Sequence, residues 1–152
     1  MKVAIVEHGP MKLVGLSIQV LLADVERKAP ALVADFESRR DDIMGQILPG
    51  VDIIVSVDPP DYNDDTDNFK LFKGVMVDPL SAEQPEGLEW MELPAMTYAC
   101  TSKPANDHAV FGSLYRWVHQ SGHELADLYS IERVENGETT LMFPIRVGSV
   151  KI

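Results

Sequence analysis

The chain has 152 residues, and its 13 Lys and Arg against 24 Asp and Glu leave a formal net charge of −11. That length suits one domain and is too short for two large ones, while the charge argues against nucleic acid and anionic membrane surfaces, which call for a basic patch. With 45% hydrophobic and 24% charged residues, the composition is that of a soluble globular protein with enough apolar mass for a core. Cys100, the single cysteine, excludes an internal disulfide. No apolar run approaches the roughly 20 residues needed to span a bilayer, and Met1-Lys2-Val3-Ala4-Ile5-Val6-Glu7 lacks the apolar stretch of a secretory signal. The expectation is a single domain over 1–152 in a reducing cytoplasm.

In chain order, the β-branched segment 2–7 and the segment 11–18 flank the turn signal Gly9-Pro10. They read as two strands joined by a turn, or as one strand broken at a bulge. From Pro30, the spacing of Leu32, Val33, Phe36, Ile43, Met44 and Ile47 predicts an amphipathic helix that Pro49-Gly50 stops. Residues 51–57 read as a strand. The stretch 58–68, with Asp58, Asp61, Asp64, Asp65 and Asp67 and two prolines, reads as an exposed loop. Residues 69–77 are strand-like, and 79–87 look like a connector.

After the connector the order recurs. Residues 88–100 parallel the opening strand, turn and strand. Asn106 or Asp107 suits a helix N-cap, Val110, Phe111, Leu114, Trp117 and Val118 form a helical stripe, and Gly122 is a stop. Strands over 128–134 and 140–147 follow, separated by Asn136-Gly137, a hairpin signal. Each half, about 1–78 and 88–152, reads strand, helix, strand, strand. The predicted fold is therefore α+β: a duplicated β-α-β-β unit with a largely antiparallel sheet and two helices packed on it.

Catalytic signatures are sparse. The chain has no phosphate-cradling glycine loop, no Gly-x-Ser-x-Gly and no cysteine pair. His119 and His123 have helical i, i+4 spacing, but Gly122 falls between them and no third ligand is near in sequence, so neither a metal nor a cofactor is expected. Cys100 sits in an apolar strand with no neighbouring His or Lys and reads as a buried structural thiol. Among the aromatics, Phe72, Trp90, Tyr98, Phe111, Tyr115, Trp117 and Tyr129 fall on strands or helices of the two units. Because strands alternate faces, part of this set can line a groove between the halves while the rest is core. Glu132 lies in a predicted central strand. It faces either solvent, paired with Lys or Arg across the strand, or the groove, where a carboxylate beside aromatic rings would favour a lipophilic cation. Asp127 is a second candidate acid.

The order of Lys2 to Gly15, Leu93-Pro94-Ala95-Met96-Thr97-Tyr98-Ala99, Leu114-Tyr115-Arg116-Trp117-Val118, Ile131-Glu132-Arg133-Val134 and Leu141-Met142-Phe143-Pro144-Ile145-Arg146-Val147 resembles the GyrI-like effector-binding domain. That module is also found at the carboxyl end of AraC-type and multidrug-responsive transcription regulators. The resemblance implies a ligand cleft between the halves with an acid at its base, and the family's glutamate falls on Glu132. Val134 stands where the family commonly has tyrosine, and Ser102-Lys103-Pro104 replaces a glycine-containing turn. No helix-turn-helix precedes the domain, so direct nucleic-acid binding is not expected.

Three functions follow. The first is a stand-alone small-molecule-binding module that senses or sequesters a partly apolar compound, a lipophilic cation being the class that Glu132 favours, with Trp90, Tyr98, Tyr129, Phe72 and Trp117 as wall. The second, implied by the resemblance, is a hydrolase of strained cyclopropane-containing electrophiles with Glu132 as general base. The third is an acidic interaction protein of the gyrase-inhibitor type, binding a basic protein partner.

Overall fold

The computed structural model describes residues 1–148, so the domain boundary drawn at 152 extends past the described residues. The chain runs β1 (Ala4–His8), β2 (Met11–Val20), α1 (Val25–Arg39), β3 (Val51–Val57), β4 (Phe69–Met76), β5 (Glu89–Leu93), β6 (Met96–Lys103), α2 (Ala109–Gln120), β7 (Glu124–Leu125), β8 (Tyr129–Glu135) and β9 (Glu138–Arg146). The fold is α+β, with two helices on an antiparallel sheet ordered β1-β6-β9-β8-β3-β4-β2-β5; the short β7 pairs with β9. Among the described residues, no helix is long and apolar enough to cross a membrane.

Gly9-Pro10 does separate two strands, but they do not form a hairpin. β1 pairs with β6 at one end of the sheet, whereas β2 pairs with β4 and β5 at the other. Pro94-Ala95 likewise sends β5 and β6 to opposite ends. Two short connections thus tie the ends of the sheet together and force it to curl. Its inner face closes on one cluster holding Met11 and Leu13 of β2, Ile53 and Val55 of β3, Phe72 of β4, Tyr98 of β6 and Ile131 of β8. β2 and β4 approach closely where Gly15 and Gly74 are partners; a Cβ on Gly15 would overlap the Lys73 carbonyl oxygen. Only glycine allows that contact.

The outer face carries the helices. α1 seats Leu32 on Val20, Phe69 and Leu71, and Phe36 on Val14, Val75 and Val77. α2 seats Leu114 and Val118 on Ala99, Leu141, Phe143 and Ile145. Burying these two stripes favours the docked helices at roughly 25 cal/mol per Å² of apolar surface removed from water.

Two helix boundaries differ from the sequence expectation. α1 begins five residues before Pro30 and ends at Arg39, so 43–47 is not helical. Pro30 is exposed and the helix continues through it, while Gly45 at φ +78° turns the chain and Ile43 drops into the core. At α2 neither Asn106 nor Asp107 caps the helix. Asn106 takes φ +63°, the Asp107 N–H donates to the Pro104 carbonyl, and the helix starts after His108 without a side-chain cap. Its end is as expected. Gly122 at φ +78° donates to the His119 carbonyl and the His123 N–H reaches Val118, the two bonds of a Schellman stop.

Candidate functional site

β3 and β8 meet at the middle of the sheet, between the strands that carry α1 and those that carry α2. Their register sorts every side chain along this seam. Val51, Ile53 and Val55 of β3 and Tyr129 and Ile131 of β8 point into the curled interior. Their neighbours Asp52, Ile54, Ser56, Ser130 and Glu132 therefore lie on the outer, helix-bearing face, where Ile54 is opposite Glu132 and Ser56 opposite Ser130. Glu132 is also opposite Leu141, which packs beneath α2. The outer floor of the seam is thus a polar strip between two helices.

Glu132 has a counter-ion. Lys103, the last residue of β6, reaches across β9 and places its Nζ 3.0 Å from Glu132 Oε1, with 28% of the Glu132 side chain and 15% of the Lys103 side chain exposed. Glu132 is thus ion-paired on the outer, helix-bearing face of the sheet.

Beside the strip, α2 presents Phe111 and Tyr115, both substantially exposed, and Phe111 stacks edge-on to Phe143 at 4.9 Å. These three rings, with Asp58, Asp127, Tyr129 and Ser130, line a hollow of about 110 Å³. Its volume is on the scale of one aromatic ring. Burial raises the pKa of the Asp58 carboxyl, and among the described residues no charge offsets that. On the opposite side, Ala29, Pro30 and Val33 of α1 face Asn106 and His108 across a groove of about 740 Å³.

The α1 wall is pinned to the seam by charge. Arg40 donates two hydrogen bonds to Asp52, at 2.8 and 2.7 Å, and two to Glu37, at 3.0 and 2.6 Å, while Lys73 stands 3.6 Å from Asp52. Burial pushes the Asp52 carboxyl up, but the Arg40 hydrogen bonds and charge outweigh it and hold Asp52 below its usual range. The Arg40 hydrogen bonds lower Glu37 as well.

The sequence-predicted site residues do not converge. Phe72, Tyr98 and Tyr129 meet in the interior core, on the opposite face from Glu132; Phe72 and Tyr98 are fully buried, and only Tyr129 also borders the ring-lined hollow. Trp90 lies on the edge strand β5 with the Lys12 ammonium 4.8 Å from its ring centroid. Trp117 packs against the α2 core and tilts over His123 at 5.6 Å. Asp127 borders the hollow, where its Oδ1 accepts from the Leu128 N–H at 2.7 Å. Phe111 and Tyr115 belong to the aromatic set of the two units but not to the expected wall, and Phe143, Asp58, Ser130 and Lys103 are not among the expected site residues. The available signal was the i, i+4 pair Phe111 and Tyr115, offset from the Leu114 and Val118 stripe. Cys100 is buried, which pushes its thiol up to about 11, and His123 lies past the helix end, accepting from the Gly148 N–H at 2.9 Å.

The pattern of the GyrI-like small molecule binding domain matches residues 1–146. No curated protein matches the sequence. Among solved structures, SAV2435 bound to tetraphenylphosphonium superposes with a TM-score of 0.67 at 15% identity, covering 96% of this chain and 94% of that one. The EcmrR C-terminal domain gives 0.66 at 13% identity, covering 96% and 98%. In the EcmrR–DNA complex the score is again 0.66, at 14% identity; the match covers 96% of this chain and only 57% of the EcmrR chain. These likenesses concern the fold, and with the matched pattern they make the chain a member of the family of GyrI-like small molecule binding domains.

Proposed function

We propose that the protein binds a small, partly apolar compound on the outer face of its sheet, in the space between α1 and α2 above the β3–β8 seam, and so senses or sequesters it. The observation that carries this reading is the meeting of Phe111, Tyr115 and Phe143 with the desolvated, uncompensated Asp58 in one hollow. Aromatic faces and a nearby carboxylate together attract an apolar cation, by ring quadrupole and by Coulomb attraction. Glu132, ion-paired with Lys103, adds a carboxylate to the floor, and Ser56 and Ser130 supply hydroxyls. The tetraphenylphosphonium held by the similarly folded SAV2435 supports the choice of ligand class.

In the same reading, residues 1–78 and 88–152 are two copies of one β-α-β-β unit. The strand order supports it, running outward from the seam as β3, β4, β2, β5 on one side and β8, β9, β6, β1 on the other.

Calorimetric titration with tetraphenylphosphonium tests the proposal. The wild-type protein is expected to bind, the Phe111→Ala, Tyr115→Ala double variant to lose about tenfold or more in affinity, and Glu132→Gln to bind more weakly because it leaves the Lys103 ammonium uncompensated. Equal affinity in all three proteins would remove the proposed site.

A further inference from the structure

Glu132 offers a charge to a cationic ligand, yet a cation already occupies it. Lys103 is the final residue of β6, and its backbone partner is Thr139 of β9, so the side chain crosses β9 to reach Glu132 on the strand beyond. In register, Glu132 stands between two apolar side chains, Ile54 on β3 and Leu141 on β9. Lys103 is also the residue from which the chain leaves the sheet toward Asn106 and His108, which line the groove beside α1. Its ammonium is therefore anchored at one end of the space between the helices and directed inward along the floor.

We infer that Lys103 is a specificity-determining residue: a tethered counter-ion that competes with cationic ligands for Glu132. This inference rests on the binding reading above and deepens it. A tethered charge acts at high effective concentration. A lipophilic monocation must either displace the ammonium from Glu132 or bind over an ion pair whose net charge is zero, so the acid contributes little Coulomb attraction while Lys103 stays in place. Neutral ligands of the same bulk meet no such competition. The pair therefore shifts preference away from simple cations, and removing the ammonium exposes the full charge of Glu132.

The test is affinity for tetraphenylphosphonium and for triphenylphosphine oxide, a neutral molecule of similar bulk, in wild type, Lys103→Met, Glu132→Gln and the double variant, with thermal melts to verify folding. Methionine keeps the apolar stem of the side chain and removes the charge; Lys103→Gln carries the same expectation if Lys103→Met does not fold. The expected result is that Lys103→Met binds tetraphenylphosphonium about tenfold more tightly than wild type, that the double variant loses this gain, and that triphenylphosphine oxide binds wild type and Lys103→Met equally. If Glu132→Gln weakens cation binding while Lys103→Met leaves it unchanged, the competition is wrong and the binding reading stands. If both ligands gain equally, Lys103 acts by bulk and the charge argument is overturned. If no variant binds the cation, the inference falls together with the reading it rests on.

Discussion

The hydroxyls of Tyr98 and Tyr129 share a hydrogen bond at 2.9 Å inside the curled sheet, with their rings edge-on at 6.5 Å. Burial raises both phenols, Tyr98 most strongly, so the pair stays protonated through the neutral range and serves to join β6 to β8 across β9. Tyr98→Phe leaves the Tyr129 hydroxyl with one partner fewer in an apolar core. The expected cost is about 1–2 kcal/mol in denaturant unfolding, with tetraphenylphosphonium affinity unchanged. A large loss of affinity at undiminished stability would move the ligand to the interior face.

Arg40 holds the C-terminal end of α1 against the seam through Asp52, and Arg40→Met removes four charge-assisted hydrogen bonds at once. A loss of about 1–3 kcal/mol is expected at neutral pH. The sign with pH follows from the depressed carboxyls. Asp52 and Glu37 lie below their ordinary values in the folded state, so their stabilisation is present above the unfolded carboxylate range and fades as pH falls through the folded values. Melting curves of wild type and variant should therefore converge in acid, and a gap that stays constant down to strongly acidic pH would exclude this origin.

Asp58 runs the other way. Burial raises its carboxyl, so the stability it contributes is present below the unfolded Asp value and lost as pH rises through the folded one. Asp58→Asn should melt higher than wild type at neutral pH, with the difference closing below about pH 4, and should at the same time bind tetraphenylphosphonium more weakly. This opposition of stability against affinity is what a carboxylate retained for a ligand predicts; a variant that is both less stable and unchanged in binding would assign Asp58 a structural role.

Much of the architecture was legible where a local rule acts alone. Asn136 and Gly137 take φ +53° and +76° between the partners Glu135 and Glu138, as an Asn-Gly hairpin requires, and Gly122 ends α2 for the same left-handed reason. The expected span of α1 differs from the observed one because two cues mislead. Pro30 looks like a first-turn residue, and Ile43, Met44 and Ile47 continue the apolar spacing beyond the true end, although Met44 and Ile47 are exposed. The site was less legible because it depends on tertiary register. Alternation alone leaves two faces for Glu132, and only its pairing with Ile54 and Leu141 selects the outer one. Lys103 meets Glu132 across an intervening strand, a contact that no sequence spacing encodes.

In the proposed site, ligand sits on the helix-bearing face above the β3–β8 seam. Amide chemical-shift mapping of isotope-labelled protein during titration with tetraphenylphosphonium reads that placement residue by residue. Saturable shifts are expected at Ser56, Asp58, Phe111, Tyr115, Ser130 and Glu132, with Trp90 and Met96 unmoved. Shifts centred instead on the open hollow beside Glu7, His8 and Thr97, or no saturable shifts, would contradict that placement.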